Sequence, residues 1–395
     1  MAECRAVTEQ NQSSLDISAT FHGNSLAESL KTSNPDSLII TPVSPLKIGP
    51  ISLDGPFVQA ALSGYSDWAM RALAREFGAS YTIAEVMLDR FVNEVRGTGK
   101  TDHYLRVNSG DHPVGAQLMG SDPEAFGPAA RRLVASGFDV IDINFGCPVR
   151  SAIGGCRGGY HLSQPDVALE IVQRVRDVVP QEIPVTLKMR RGIDLSSESR
   201  DHFFEILDGA FAAGVSLITV HGRTVEQKYQ GPSDWAFLRQ VKEHAGNRVI
   251  LGSGDLFTAQ ACVDMIRQTG VDGVTIARGA IGNPWIFRQS RQLWRGEEMD
   301  SVPGLLEQRS VLERHRALIV ESYGQGRWMG VMRKFGFKYA RLHPDMAALR
   351  IAWGTIRTEA GWLELLEHFY STDAPGCSPD VNDAQPSEEC DSSEG

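Results

Sequence analysis

Residues 140–156 read VIDINFGCPVRSAIGGC. Val140, Ile141 and Ile143 form the β-branched apolar run of a buried strand. The residue types then change abruptly to Asn144, Gly146, Cys147 and Pro148, followed by a glycine-rich loop. A thiol placed where a strand gives way to a loop occupies the position at which α/β proteins put their chemistry. With a reference pKa of about 8.5, such a thiol is protonated at neutral pH and can serve as a general acid, whereas a carboxyl group would be ionised. Many cysteines are simply buried core residues, so the assignment turns on what else converges on Cys147.

Polar residues close the other apolar runs in the same way. Residues 57–62 read as a strand leading to Ser63-Gly64-Tyr65-Ser66-Asp67, where Asp67 or Ser66 caps a helix through Phe77. The run 81–84 ends at Glu85, and 114–118 carries Gln117 close to its end. Likewise 185–187 leads to Lys188-Met189-Arg190, and 217–220 to His221-Gly222-Arg223. Finally 249–251 leads to Gly252-Ser253-Gly254-Asp255, and 273–276 to Ala277-Arg278-Gly279. Between them, 122–135, 165–178, 199–213, 233–244 and 258–269 have helical periodicity. Strict β–α alternation predicts parallel strands. Eight such units closing on themselves give the TIM (β/α)8 barrel, in which all these strand ends share one face and that face holds the active site.

The seventh and eighth units add a ligand. GSGD and ARGAIGNPWIF supply glycine-rich backbone beside a helix start, with Arg278 next to it, which is the makeup of a phosphate site. There is room for one phosphate and no GxGxxG follows the first strand, so a mononucleotide such as FMN fits better than a dinucleotide. Lys188 would then face the electron-rich side of a flavin ring and stabilise negative charge on reduction.

Composition agrees with a globular enzyme. Of 395 residues 42% are hydrophobic and 22% charged. No apolar run approaches the roughly 18 residues that span a bilayer, so no membrane partner is expected. The start MAECRAVTEQNQSS lacks the basic-then-apolar layout of a secretory signal. The six cysteines are scattered, with neither a disulfide framework nor a CxxC zinc pattern. No metal is expected, and a reducing cytoplasm is the expected location. Residues 1–45 hold five acidic and two basic side chains, and 371–395 hold seven acidic and none basic. The net charge of −10 therefore lies in the tails, whose polar composition predicts disorder, and 46–370 is neutral. The expected organisation is a disordered tail 1–45, an FMN-binding barrel 46–300, a helical domain 306–370, and an acidic disordered tail 371–395. LKIGPISLDGPF resembles a small opening hairpin. Arg327, Arg333, Lys334, Lys338, Arg341 and Arg350 outnumber Asp345 in the helical domain, with Trp328, Phe335, Phe337 and Tyr339 interleaved. Their spacing predicts a basic helix with charges on one face and aromatics on the other, suited to RNA.

Taken in order, LKIGPISLDGPF, GYSDWAMR, YTIAEVM, PVGAQLMGSDPEAF, DINFGCPV, LKMRRGID, ITVHGRT, GSGD and ARGAIGNPWIF resemble the flavin-dependent tRNA-dihydrouridine synthases over residues 46–290. MRKFGFKYAR resembles that family's C-terminal helical domain. The resemblance implies a barrel holding FMN, reduction of the flavin by NADPH, hydride delivery to C6 of a uracil in tRNA, and a proton for C5 from Cys147. It further implies flavin contacts from Ala61, Leu62, Ser63, Gln117, Lys188, His221, Ser253, Gly254, Asp255, Ala277 and Arg278. Substrate contacts are implied for Asn144, Arg223, Arg333, Lys334 and Lys338, and a monomer is expected. The chain differs from the family pattern in reading AALSG (residues 60–64) where APMAG is usual, and in having Ser253 for an asparagine and Arg150 for a lysine. Cys156, within GGCRGG, is a second thiol in the same loop. The alternatives are an FMN barrel oxidoreductase acting on a small molecule, a synthase acting on rRNA, and a flavin-free RNA-binding descendant.

Overall fold

In the computed structural model, residues 45–96 and 101–379 are described. The alternation of apolar runs and amphipathic helices becomes a closed parallel barrel. Lys47–Ile48 (β1) and Ile51–Ser52 (β2) pair antiparallel around a turn at Gly49 (φ +55°), giving the expected hairpin. Phe57–Gln59 (β3), Tyr81–Leu88 (β4), Val114–Met119 (β5), Val140–Phe145 (β6), Val185–Arg190 (β7), Leu217–His221 (β8), Ile250–Ser253 (β9) and Gly273–Ile276 (β10) form the barrel. It closes where β10 pairs with β3. Ile48 and Leu53 pack with Val58, Tyr81, Val140, Leu217 and Leu251 in one apolar cluster, so the hairpin plugs the N-terminal end of the barrel. The opposite end is left for chemistry.

The helices are Trp68–Glu76 (α1), Asp89–Glu94 (α2), Asp102–Leu105 (α3), Pro123–Ala135 (α4), Arg150–Ile153 (α5), Pro165–Val178 (α6), Ser197–Ala212 (α7), Trp235–Ala245 (α8), Ala259–Thr269 (α9) and Trp285–Arg295 (α10). Several begin where a short polar side chain accepts an orphan amide. Asp67 accepts from Met70, Asp234 from Phe237, and Thr258 from Ala261.

Four helices follow: Leu305–Tyr323 (α11), Trp328–Tyr339 (α12), Met346–Thr355 (α13) and Glu359–Phe369 (α14). Trp328, Trp353 and Trp362 form their core, with ring centroids 5.6 Å apart for Trp328–Trp362 and Trp353–Trp362. Gly336 is required there, since a Cβ on it would lie 2.1 Å from the Trp353 ring. Leu73 of the barrel and Leu312 and Phe335 of the helical layer belong to one continuous core.

Some boundaries differ from expectation. β4 continues to Leu88 through an irregularity between Ile83 and Val86, so Glu85 sits at a bulge within the strand rather than at its end. β7, β8 and β9 extend past their apolar runs because Asn144 pairs with Lys188, Arg190 with His221, and His221 with Ser253 in the ladder. Polar side chains are tolerated at those positions because they face the barrel mouth. β3 is shorter than expected: beyond Ala60 the Ser66 hydroxyl accepts the Leu62 amide and the chain turns away.

The C-terminal segment expected to be disordered from 371 is held in its first part. The Leu305 amide donates to the Ala374 carbonyl, and the Cys377 amide to that of Leu342. The expected tail 1–45, apart from its last residue, and residues 380–395 lie outside the described residues.

Candidate active site

At the C-terminal end of the barrel the side chains run round the rim in strand order. Five short hydrogen bonds fix one half of it. Asp142, buried within β6, accepts from the Thr186 hydroxyl (2.5 Å) and from Gln117 Nε2 (2.6 Å). Gln117 Oε1 accepts from Asn144 Nδ2 (2.7 Å), and Asn144 Oδ1 accepts the amides of Gly146 (2.8 Å) and Cys147 (3.1 Å). Asn144 thus shapes the turn that presents the thiol. Burial raises the Asp142 carboxyl above the usual carboxylate range, opposed by these hydrogen bonds and by the Lys188 charge.

Cys147 is half-buried and carries a thiol. Residues 150–163 do not form an open loop: they fold as α5 and a 3₁₀ turn at Gly158–Ser163 that crosses back over Cys147. The Gly159 amide donates to the Cys147 carbonyl (3.0 Å). At Gly158 (φ +60°) a Cβ would come within 2.8 Å of Cys147 Cβ, so the close crossing accounts for a glycine there. Cys156 has φ +55° and donates its amide to Ile153 at the back of this turn.

The other half is cationic. Lys188 is half-buried, and its pKa is pushed down to about 8 by desolvation and by Arg190. Arg190 donates to the Gly146, Thr224 and Lys228 carbonyls, and burial lowers its pKa to about 10. Burial, then Arg190, Lys188, Arg223 and Arg278, hold His221 well below the ordinary histidine range, so it stays neutral. Arg223 binds the Gly231 carbonyl, Asp255 Oδ2 (2.8 Å) and His221 Nε2 (3.3 Å). Asp255 (φ +58°) also accepts the Ser233 amide, and follows Gly254 (φ +115°), where a Cβ would lie 2.5 Å from Ser233 Oγ. The Ser253 hydroxyl reaches the Thr275 carbonyl (3.4 Å). Arg278, following Ala277 after β10, lies over the rings of Tyr229 (4.5 Å) and Phe257 (5.2 Å).

A family model described as dihydrouridine synthase (Dus) matches residues 58–372. The chain belongs to the dihydrouridine synthase family. It is 31% identical over 328 residues to a probable tRNA-dihydrouridine synthase of Rickettsia conorii, covering 83% of this chain and 97% of that protein. It is 30% identical over 341 residues to tRNA-dihydrouridine synthase B of Xanthomonas axonopodis pv. citri, covering 86% and 100%. Among solved structures, a 2-naphthoyl-CoA reductase superposes with a TM-score of 0.51 at 13% identity, over 65% of this chain and 52% of that one, a likeness of fold alone.

For this dihydrouridine synthase chain, the structure brings Gln117, Asn144, Cys147, Lys188, His221, Arg223, Ser253, Gly254, Asp255, Ala277 and Arg278 to the barrel rim. Ala61, Leu62 and Ser63 line the loop after β3 at the same end. Two of the three helical-domain cations turn away from the expected solvent face. Arg333 donates to the Trp353 and Gly354 carbonyls at the end of α13. Lys334 reaches back to the Gly64 carbonyl, and Lys338 is half-buried. Arg341 is buried and binds the Ile281 carbonyl (2.6 Å), while the aromatic Phe337 is 37% exposed. Arg333 and Arg341 spend their guanidinium donors on carbonyls at the end of α13 and after the turn that follows β10. Sequence reasoning missed Asp142, Arg190 and Tyr229 as site residues. An acid inside the apolar run VIDINF signalled the first; Tyr229 had no signal.

Proposed function

We propose that this mouth holds FMN and that the enzyme reduces uridine in tRNA to 5,6-dihydrouridine, with NADPH as the reductant. The observation that carries the cofactor assignment is charge imbalance. Lys188, Arg190, Arg223 and Arg278 gather around two carboxylates, Asp142 and Asp255, with His221 neutral. Buried and half-buried cations in excess call for an anion, and a phosphate between Gly254 and Arg278 meets that need while leaving Lys188 to face an electron-rich ring. The residues therefore fit the group.

A bound reduced flavin would supply the hydride for C6 of the uracil. Cys147 holds the proton for C5, and Asn144 aims the thiol through its two amide acceptances. Lys188 stabilises negative charge in its protonated form, which prevails below about pH 8. Closure of the turn at Gly158 over Cys147 limits water at the thiol. A base reaching this depth must leave its stack, at a cost of a few kcal/mol. All the named groups come from one chain, so a monomer suffices. Among the described residues no helix is long and apolar enough to cross a membrane, and tRNA as substrate suits a cytoplasmic enzyme.

The test is incubation of the FMN-loaded protein and NADPH with dihydrouridine-free tRNA, and separately with rRNA, followed by nucleoside mass spectrometry. Dihydrouridine in tRNA is expected. Its appearance in rRNA alone, or its absence from both, rejects the substrate. Arg278→Ala is expected to purify with little flavin yet with an unchanged circular-dichroism spectrum. Full flavin occupancy in that variant would remove the phosphate from this position.

A further inference from the structure

We propose that Lys334 is a positioning residue for the flavin edge: it ties α12 of the helical domain to the loop of residues 61–64, so that the helical domain completes the cofactor site. The inference rests on the FMN reading above and adds to it a role for a cation that the sequence assigned to RNA.

Six contacts carry it. Lys334 Nζ donates to the Gly64 carbonyl, and the Gly64 amide donates to Glu85 Oε2 on β4 (2.6 Å). Gly64, at φ +71°, is therefore held from both sides of one residue, by the helical domain and by the barrel. The Ser66 hydroxyl accepts from the Leu62 amide and donates to the Leu62 carbonyl, fixing the preceding turn. Tyr65 packs edge-on against Phe335, the neighbour of Lys334, with centroids 5.4 Å apart and Lys334 Nζ 5.2 Å from the Tyr65 ring.

A second anchor lies alongside. Asp67, which caps α1, accepts from the hydroxyl of Tyr323 on α11 (2.9 Å). Glu85 and Asp67 are both buried enough for their carboxyls to be raised by desolvation, and Lys334 is among the charges that oppose this in each. Arg71 is the other, and it is already bound to Asp111 and to the Ser66 carbonyl. Removing Lys334 thus releases the Gly64 carbonyl and takes one of two balancing charges from Asp67 and Glu85 together. The loop so held follows β3, where the chain reads AALSG and lacks the proline that would stiffen the turn. A tie from outside supplies the constraint that the local sequence does not.

Hydrogen–deuterium exchange on the flavin-free full chain reads the tie directly. Lys334→Ala is expected to raise exchange of the amides in 61–66 while leaving 250–258 unchanged, and Lys334→Arg to restore at least half the protection, since a guanidinium still reaches a carbonyl. FMN titration of the same proteins is expected to show a roughly tenfold weaker dissociation constant for Lys334→Ala, the scale of one charged hydrogen bond. The salt slope of tRNA binding should stay at the wild-type value. Unchanged exchange in 61–66 overturns the proposal, as does a slope reduced by about 0.9, the mark of a lost phosphate contact. Wild-type protein that takes up no FMN, with the exchange difference present, would instead reject the cofactor reading and keep the tie.

Discussion

Cys147→Ala is expected to lower dihydrouridine formation by ~10²–10⁴-fold, the range for loss of a general acid, while FMN content, NADPH oxidation by the flavin and tRNA affinity remain at wild-type levels. Cys156→Ala should cost far less. The structure separates the two thiols by how each is held. The Cys147 backbone is pinned at its amide by Asn144 and at its carbonyl by Gly159, directly after β6. Cys156 lies on the far side of the α5 turn, its amide spent on Ile153. The first follows directly on β6 at the barrel rim, and acid catalysis needs a proton within hydrogen-bond reach of the reacting atom. Reoxidation of the reduced enzyme by uridine-containing tRNA, followed in a single turnover, measures both variants. An inactive Cys156→Ala with an active Cys147→Ala would exchange their roles.

The barrel was legible in the sequence because burial on both faces leaves each parallel strand a short apolar run, and because Asp67, Asp122 and Thr258 mark helix starts. The rim was legible for the same reason: a polar residue at the end of a buried run has few other uses. What escaped was direction. Lys334 and Arg341 look like solvent-facing cations in one dimension, but both reach backbone carbonyls at the seam between barrel and helices. Charge spacing along a helix does not reveal which orphan carbonyls lie across from it. Glu85 escaped differently, since a bulge within β4 turns what reads as a strand end into an interior position. The stretch around Cys156 reads as a glycine-rich loop because glycines flank it. In the structure Gly158 marks a close crossing over Cys147 instead.

Asp142 was read as part of a strand, and it carries the second large effect. Its carboxylate starts a chain of fixed polarity: it can only accept, so Gln117 must offer Nε2 to it and Oε1 to Asn144, which must then offer Oδ1 to the amides of Gly146 and Cys147. Asp142→Leu removes the acceptor. A buried amide donor left unsatisfied costs about 1–3 kcal/mol, and with nothing to fix the sense of the Gln117 amide the Cys147 turn loses its alignment. Turnover is expected to fall roughly 10²-fold, as for a misplacement of about 1 Å. Asp142→Asn should keep most turnover, because its oxygen still faces Gln117 while its amide meets the Thr186 hydroxyl, which accepts as readily as it donates. Both substitutions also remove a negative charge that holds the Lys188 pKa up. That pKa then falls below about 8, and the loss of rate with rising pH should begin at lower pH in both variants. The pH–rate profiles separate the two effects: a shifted limb in both, and a lowered plateau only in Asp142→Leu. Equal plateaus would show that the amide chain does not position the thiol.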